Sequence, residues 1–271
     1  MVDVELAGVQ RTLSPVLKAK ALDTRLPSPI LGDAYAEQTM RRLDPAYDHG
    51  FLGANQLGLA AVVRAKALDD WARAFLTDHP GAVVLNLGCG LDARVHRIDP
   101  PPTVTWFDLD FPAVIELRRE LLPSRPHDTP LASDVTDLTW LDTVPRDRPA
   151  LMIAEGLVPY LTEPAAQRLL TTIVDEFPRG QLLFDVVSVS AWRSSRWDPV
   201  GRRYNARFHC GFDDPTTPAA WHPRLTYVDE APMNDSPLLM AKAPPGIRRI
   251  YRAMNLIPGF TRSSRILRFR F

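Results

Sequence analysis

The sequence predicts an α/β domain built on a doubly wound, mostly parallel sheet, and three observations support this prediction. Five short apolar runs alternate with segments of helical periodicity through the middle of the chain, a pattern typical of parallel strands covered by helices on both faces. The chain has 271 residues, enough for one large domain with a buried core. Its composition, 45% hydrophobic and 24% charged, is that of an ordinary globular protein.

The N-terminal part of the chain carries no strand pattern. Proline and glycine residues divide residues 1–58 into short helical segments and turns. From Leu59 the apolar residues recur at spacings of three and four until Pro80–Gly81, which predicts a long helix. The core of the sheet is then expected within residues 59–187.

The five apolar runs are the predicted strands of this core, and the third is the weakest of them. In chain order they are Ala82–Leu87, Val104–Leu109, Thr129–Ser133, Ala150–Ala154 and Gln181–Val187. Helix starts follow two of these strands. Pro112 opens a helix after the second, and Thr162 can cap a helix after the fourth, with Pro164 in its first turn.

The pattern changes after the fifth strand. Residues 188–264 indicate two insertions, with one possible strand between them at Leu225–Glu230 and a short helix near Ile247–Met254. Apolar and arginine side chains alternate with period two from Leu267 to Phe271, which predicts a final strand at residues 265–271. We expect a single domain, residues 1–271, in which the N-terminal segment and the insertions form a lid over one end of the sheet.

Composition excludes several classes of protein. Lys+Arg and Asp+Glu both total 32, so no overall field favours nucleic acid or an acidic membrane surface. The two cysteines, Cys89 and Cys210, form no disulfide framework, and the six histidines are scattered, so no metal site is expected. We see no secretory signal and no apolar run near the ~20 residues of a membrane span, so a cytoplasmic protein is predicted.

A glycine-rich turn, NLGCGLDAR, follows the first strand. Gly88 and Gly90 let the backbone approach a ligand, and Ala93 completes a loose dinucleotide fingerprint. Asp108 and Asp110 lie about twenty residues on, where an acid would hold a ribose. This local pattern does not separate a nicotinamide cofactor from S-adenosylmethionine, nor either from a tight turn that binds nothing.

The wider order of motifs does separate them. Together these motifs resemble the leucine carboxyl methyltransferase family, which includes protein-phosphatase carboxyl methyltransferases and many bacterial O-methyltransferases of polyketide tailoring. The matching blocks are LPSPILGDAYAE (Leu26–Glu37), VVRAKALDDWARAFL (Val62–Leu76), GCGLDAR (Gly88–Arg94), FDLDFP (Phe107–Pro112), SDVTDL (Ser133–Leu138) and AEGLVPYL (Ala154–Leu161). The resemblance implies a class I methyltransferase fold with an antiparallel last strand, and S-adenosylmethionine as the cofactor.

The resemblance also implies roles for individual residues. Gly88 and Gly90 would lie under the methionine part of the cofactor, and Arg64 and Lys20 would hold its carboxylate. Each cation also has a simpler interpretation. Arg64 lies on an amphipathic helix and fits a solvated cation, and Lys20 fits an ordinary surface lysine. The remaining implied cofactor contacts are Asp110 at the ribose, Asp134 and Val135 at the adenine, and Glu155 at the amino group.

The sequence leaves the roles of two residues open. Asp108 competes with Asp110 for the ribose, although the FDLDFP match favours Asp110. Arg94 is compatible with pairing to Asp92 or with bracing the loop. From the AEGLVPYL block we take Glu155 and Tyr160 as the candidate catalytic residues.

The first insertion is the candidate acceptor site. Tryptophan, tyrosine and arginine residues are interleaved there, which suits either a pocket for a flat acidic acceptor or a mobile insert or oligomer contact. Trp197, Arg203 and Tyr204 are the candidate substrate contacts. Of the six histidines, His209 and His222 lie in this insertion, and neither indicates a general base.

The sequence therefore predicts an S-adenosylmethionine-dependent O-methyltransferase that acts on a carboxylate or phenol of a small molecule, such as a polyketide or another secondary metabolite. A carboxylate is slightly favoured because it is ionised at neutral pH and needs no general base. The alternatives are methylation of a protein C-terminus and a non-catalytic relative of the fold. We expect no metal, no nucleic-acid or membrane partner, and a monomer or homodimer.

Overall fold

The computed structural model describes residues 13–44, 56–197 and 207–271. Its helices are α1 (Leu13–Asp23), α2 (Ala34–Leu43), α3 (Gln56–Asp78), α4 (Arg94–Ile98), α5 (Pro112–Leu121), α6 (Glu163–Glu176), α7 (Val189–Ser195), α8 (Pro237–Lys242) and α9 (Pro245–Met254). Its strands are β1 (Val83–Leu87), β2 (Thr105–Asp110), β3 (Asp128–Ala132), β4 (Ala150–Ala154), β5 (Gly180–Val187), β6 (Thr226–Pro232) and β7 (Ser264–Arg270). Short 3₁₀ turns cover Leu138–Thr143, Val158–Tyr160 and Thr217–Trp221.

The strands form one seven-stranded sheet in the order β3-β2-β1-β4-β5-β7-β6. The five strands β1 to β5 are parallel to one another, and β7 lies antiparallel between β5 and β6. The chain winds outward in one direction from β1 and in the other from β4, so the order reverses between these two central strands. The predicted doubly wound, mostly parallel sheet with an antiparallel last strand is confirmed.

The predicted strands match the observed ones to within one or two residues. The weak pattern of the third strand and the absence of a prediction for one helix have physical reasons. The weak third run is an edge strand that is half-exposed and contains Pro130, which explains why its apolar pattern is weak. Helix α8, at Pro237–Lys242, was not predicted because six residues are too few to show a helical period. The predicted cap at Thr162 is confirmed, since its hydroxyl accepts a hydrogen bond from the backbone of Ala165.

Helices cover both faces of the sheet. Leu68 and Phe75 of α3 pack with Val84 and Leu151 on one face. On the other face the apolar side of α6, including Leu170, packs against the remaining strand side chains. The central strands are therefore buried on both sides, which is why they appear in the sequence as continuous apolar runs.

Segments distant in sequence meet above the carboxyl ends of the strands. A buried apolar cluster joins α1 and the start of α3 to α8 and α9, with Ala19, Val62, Leu239 and Tyr251 among its members. We call these four helical segments the cap. Helix α2 packs instead with α1 and α5, around Met40.

Candidate active site

A cavity of about 590 Å³ lies between the cap and the carboxyl ends of β1, β2, β4 and β5. Sites for small molecules are typically about 300–1,000 Å³. Ligands of open α/β sheets bind where the strand order reverses, and this cavity lies at the reversal between β1 and β4. Val16, Tyr251 and Met254 of the cap contribute to its wall.

The glycine turn after β1 forms one side of this cavity. Gly88 and Gly90 both adopt the left-handed backbone region, with φ of 62° and 53°, which favours glycine. A side chain at Gly88 would also be crowded by Leu157, whose Cδ1 lies 3.3 Å from the position of a Cβ. The turn is therefore shaped to bring bare backbone against whatever fills the cavity.

The structure separates the two aspartates that compete for the ribose. Asp108 is fully buried and its carboxylate is occupied within the core, where it accepts hydrogen bonds from Asn86 (2.7 Å), Trp106 (2.9 Å) and Arg118. Asp110 lines the cavity. Each of its oxygens accepts one backbone N–H, from Gly90 at 2.8 Å and from Phe111 at 2.7 Å.

Asp110 is therefore the aspartate that can meet a ligand. Each carboxylate oxygen has two lone pairs, so both oxygens of Asp110 can still accept a hydrogen bond from a diol. Burial raises its pKa, and the two backbone N–H groups oppose that rise.

Glu155, directly after β4, is surrounded by three cations. Its Oε1 lies 3.4 Å from Lys20 Nζ and 3.3 Å from Arg64 Nε, while its Oε2 pairs with Arg94. The Lys20 and Arg64 side chains are 3% and 18% exposed, so neither is a solvated surface cation. Arg94 also pairs with Asp92, at 3.3 Å, and braces the loop through Asp69, at 2.7 Å.

This cluster extends through the base of the cavity. Asp185 of β5 accepts a hydrogen bond from Arg64 (2.9 Å) and another from the backbone of Gly156. Arg97 bridges Asp33, at the start of α2, to Asp92 and Asp69. The cationic members are Lys20, Arg64, Arg94 and Arg97, and the acidic members are Asp33, Asp69, Asp92, Glu155 and Asp185. Fully ionised, the cluster carries one negative charge in excess.

The charges around Glu155 fix its protonation state. Burial alone would raise the pKa of Glu155, but Lys20, Arg94 and Arg64 outweigh it and hold the pKa at about 2. The carboxylate is therefore ionised at neutral pH. A base this weak cannot take a proton from a phenol, whose ordinary pKa is about 10.

We expect this pKa to make stability depend on acid. The folded pKa of about 2 lies below the ordinary 4.5, so the stabilisation is present above pH 4.5 and is lost as pH falls toward 2, by on the order of 3 kcal/mol. The measurement is the free energy of urea unfolding against pH for the wild type and Glu155→Gln. The variant should lose less stability across this window, whereas Glu116→Gln, at an exposed site, should follow the wild type. Identical curves for all three proteins would contradict the assignment.

The structure brings most of the predicted residues to the cavity. Those that line it are Lys20, Arg64, Gly88, Gly90, Asp110, Glu155 and Tyr160. Asp134 and Val135 follow β3 at the same sheet edge but do not line it, and Asp134 is exposed and caps its own turn through Thr136. Their contact with an adenine stays a prediction.

None of the three predicted acceptor contacts is among the described residues that line the cavity. Trp197 is 69% exposed, lies outside the cavity wall and has Arg196 over its ring at 5.5 Å. It is therefore not brought to the acceptor space. Arg203 and Tyr204 lie outside the described residues.

Several residues that line the cavity were not selected from the sequence. Next to Tyr160, Phe208 packs edge-on with ring centroids 5.1 Å apart. The remaining members come from α7, the end of β6, α9 and the start of β7: Ala191, Ser195, Met233, Asn234, Tyr251, Met254, Phe260, Ser263 and Ser264. This part of the cavity, which we propose as the acceptor lobe, is mainly apolar and aromatic. No histidine appears among the described residues that line it.

One missed residue could have been found. Asp185 is the only charge in the apolar run QLLFDVV, and a lone carboxylate in a buried strand is usually functional or paired. Asp69 and Arg97 gave no comparable signal, because each lies on a helix where a charged residue is ordinary.

Known proteins share this sequence pattern. The model of a family described as leucine carboxyl methyltransferase matches residues 15–174. The chain is 42% identical to the tetracenomycin polyketide synthesis O-methyltransferase TcmP of Streptomyces glaucescens, over 99% of this chain and 98% of that protein. It is 34% identical to the S-adenosyl-L-methionine-dependent methyltransferase dpfgK of Gibberella zeae, over 67% of each.

Solved structures agree in fold. A putative methyltransferase from Thermobifida fusca YX has a TM-score of 0.57 at 16% identity, covering 93% of each chain. Magnesium protoporphyrin IX methyltransferase (ChlM) from Synechocystis, solved with bound S-adenosylhomocysteine, has a TM-score of 0.50 at 13% identity, covering 88% of this chain and 95% of that one. At these identities the likeness concerns the fold alone.

Proposed function

The chain belongs to the leucine carboxyl methyltransferase family, and we propose that its acceptor is the carboxylate of a flat aromatic acid of polyketide type. It is an S-adenosylmethionine-dependent O-methyltransferase. The observation that carries the proposal is the acceptor lobe, which combines an aromatic wall with no histidine among its described residues.

The cavity suits S-adenosylmethionine in charge and shape. This cofactor has an ammonium, a sulfonium and one carboxylate, and the buried cluster is complementary to it with one negative charge in excess. We propose that Lys20 and Arg64 hold the carboxylate, Glu155 the ammonium and Asp110 the ribose hydroxyls, with Gly88 and Gly90 beneath. When bound, the cofactor supplies a methyl group activated by the positive charge on sulfur.

The protein's part in the reaction is to orient the acceptor and exclude water. Methyl transfer is an in-line displacement, in which alignment and a dry site account for much of the rate. The cap covers the cavity with apolar side chains, including Val16 and Met254. Tyr160 and Phe208 offer an edge-on aromatic pair beside the site, suited to a planar ring.

A carboxylate oxygen fits this site better than a phenol. It is already ionised at neutral pH, so no group need remove a proton. Glu155, with its pKa of about 2, does not supply such a base. We therefore propose that Glu155 binds the cofactor instead of acting in proton transfer, and that Tyr160 contacts the acceptor.

A small acceptor fits the cavity better than a protein C-terminus. A protein substrate needs an open cleft that admits a peptide chain, whereas here the cap and an aromatic wall border the cavity. The likeness to TcmP, an O-methyltransferase of polyketide synthesis, supports an acceptor of polyketide type.

The test is a rate comparison between matched acceptors with deuterated-methyl S-adenosylmethionine. Naphthoic and anthracene carboxylic acids should gain a labelled methyl ester, and naphthols and anthrols of equal size should react much more slowly. Faster methylation of the phenols would overturn the carboxylate proposal. Methylation of a peptide C-terminus, but of no small acid, would favour the protein-modifying alternative.

We predict that turnover needs no metal ion. Within the described ranges, no group of three or more His, Cys, Asp or Glu side chains is arranged to hold a metal. Activity should be unchanged after dialysis against EDTA, with S-adenosylhomocysteine affinity as the control for intact protein. Activity that returns only on adding Mg²⁺ would contradict this prediction.

The cellular compartment and the partners of the protein are also matters of proposal. Cys89 and Cys210 are both buried free thiols, which supports a reducing cytoplasm. In the part of the chain that the structure describes, no helix is long and apolar enough to span a membrane. We propose no nucleic-acid partner, and a monomer or homodimer.

A further inference from the structure

Asn234 is a polar residue in the mainly apolar wall of the acceptor lobe. It comes after β6, next to the buried Met233, and lines the cavity as Phe260 and Met254 also do. Its side-chain nitrogen donates to the backbone oxygen of Phe260 at 3.0 Å and to the hydroxyl of Ser263 at 2.8 Å.

These two bonds fix which end of the amide faces which neighbour. A backbone carbonyl oxygen can only accept a hydrogen bond, so the atom beside Phe260 O must be the nitrogen. Both hydrogens of the nitrogen are then used. The amide oxygen, Oδ1, remains as a pure acceptor, and no donor among the described residues pairs with it.

The turn that carries Asn234 is held from outside the cavity. Asn255 donates from its side chain to the backbone oxygen of Asn234 at 3.3 Å and to Asp235 at 3.1 Å. Asn255 does not line the cavity. The acceptor oxygen of Asn234 is therefore pre-positioned, which is the condition for a hydrogen bond that discriminates between ligands.

We propose that Asn234 Oδ1 accepts a hydrogen bond from a hydroxyl group on the methyl acceptor, and so selects hydroxylated aromatic acids over acids that lack this hydroxyl. The proposal rests on the proposed function, an aromatic acid as acceptor. The donor is a second group of that molecule, because the carboxylate to be methylated is ionised and has no hydrogen to donate.

The chemistry favours a strong effect of this one bond. An acid without the hydroxyl would cover Oδ1 with apolar surface and leave a desolvated acceptor unpaired. Sites that hydrogen-bond a substrate hydroxyl discriminate much more sharply than apolar pockets do. We expect kcat/KM for the best-placed hydroxy acid to exceed that of the deoxy acid by about 10- to 100-fold.

The experiment compares anthracene-2-carboxylic acid with its monohydroxy positional isomers, in the wild type, Asn234→Leu and Asn255→Ala. The full chain is used, and kcat/KM and the affinity of each acid for the S-adenosylhomocysteine complex are measured. Asn234→Leu should bring the preference for the hydroxy acid to within about 3-fold, with S-adenosylhomocysteine affinity unchanged. Asn255→Ala, which loosens the turn that positions Oδ1, should reduce the preference without abolishing it, again with S-adenosylhomocysteine affinity unchanged.

Each other outcome has a definite meaning. If the wild type methylates the acids but prefers no hydroxy isomer, or if Asn234→Leu keeps the preference, the role of Asn234 is overturned and the proposed function stands. The wild-type comparison decides this even when the variant does not fold. If no acid is methylated or bound while S-adenosylhomocysteine binds, the proposed acceptor class is overturned together with this inference.

Discussion

Replacing Arg94 with glutamine is expected to lower the free energy of unfolding by about 3–5 kcal/mol, because it breaks a buried ion pair and leaves carboxylates uncompensated. The Arg94 side chain is 1% exposed and pairs with Asp69, Asp92 and Glu155. Glutamine keeps hydrogen-bonding capacity but supplies no charge. Urea unfolding of wild type and variant at neutral pH measures the difference.

Arg148→Gln is the matched control. Arg148 also faces a carboxylate, Asp147, at 3.3 Å, but the two side chains are 37% and 76% exposed. Exposed pairs contribute about 0–1 kcal/mol. Equal losses in the two variants would show that Arg94 is not the centre of a buried charge cluster. A stable Arg94→Gln protein with unchanged S-adenosylhomocysteine affinity would refute its link to Glu155.

Asp110→Ala is expected to weaken S-adenosylhomocysteine binding by about 10- to 100-fold, the effect of removing the partner of buried ligand hydroxyls. Asp110 lines the cavity and its oxygens keep acceptor capacity beyond Gly90 and Phe111. Isothermal titration gives the dissociation constant, and circular dichroism shows whether the variant is folded. S-adenosylhomocysteine is the right probe because it shares the ribose but carries no reactive methyl.

Two further variants serve as a control and as a test of a different cofactor position. Glu116→Ala removes an exposed acid from α5, the helix that follows Asp110, and should leave affinity unchanged. Asp134→Ala tests the implied adenine contact. If Asp134→Ala weakens binding while Asp110→Ala does not, the cofactor lies differently from our proposal.

Much of the fold could be predicted because the parallel strands are buried on both faces. Such strands leave continuous apolar runs, and Ala150–Ala154 was predicted with its observed bounds. The edge strand at Pro130 gave a weak pattern because one side of it faces solvent. The short helix Pro237–Lys242 has too few residues to display a period.

The proposed cofactor side of the cavity could also be predicted largely from the sequence. Its residues follow strands directly, and the carboxyl ends of parallel strands meet at one edge of the sheet, so Gly88, Asp110 and Glu155 come together. The charge cluster behind them could not be predicted as a unit, although Asp185 alone stands out as the single charge in an apolar run. Asp69, Arg97 and Asp185 are brought together only by the packing of α3 and α4 on the sheet.

The proposed acceptor side of the cavity could not be predicted from composition. The Trp- and Arg-rich insertion drew the prediction to Trp197, which is exposed. The wall is instead built from isolated residues of several elements, such as Phe208, Asn234 and Phe260. No local pattern marks such residues, because they are neighbours only after the cap has folded over the sheet.

The most direct test is a crystal structure of the chain with S-adenosylhomocysteine and an aromatic acid that it methylates. We expect the homocysteine carboxylate at Lys20 and Arg64, the ribose hydroxyls within hydrogen-bond distance of Asp110, and the acid between Tyr160 and Asn234 with its carboxylate towards the sulfur. An acid bound outside the acceptor lobe, or a ribose held away from Asp110, would contradict the proposed site.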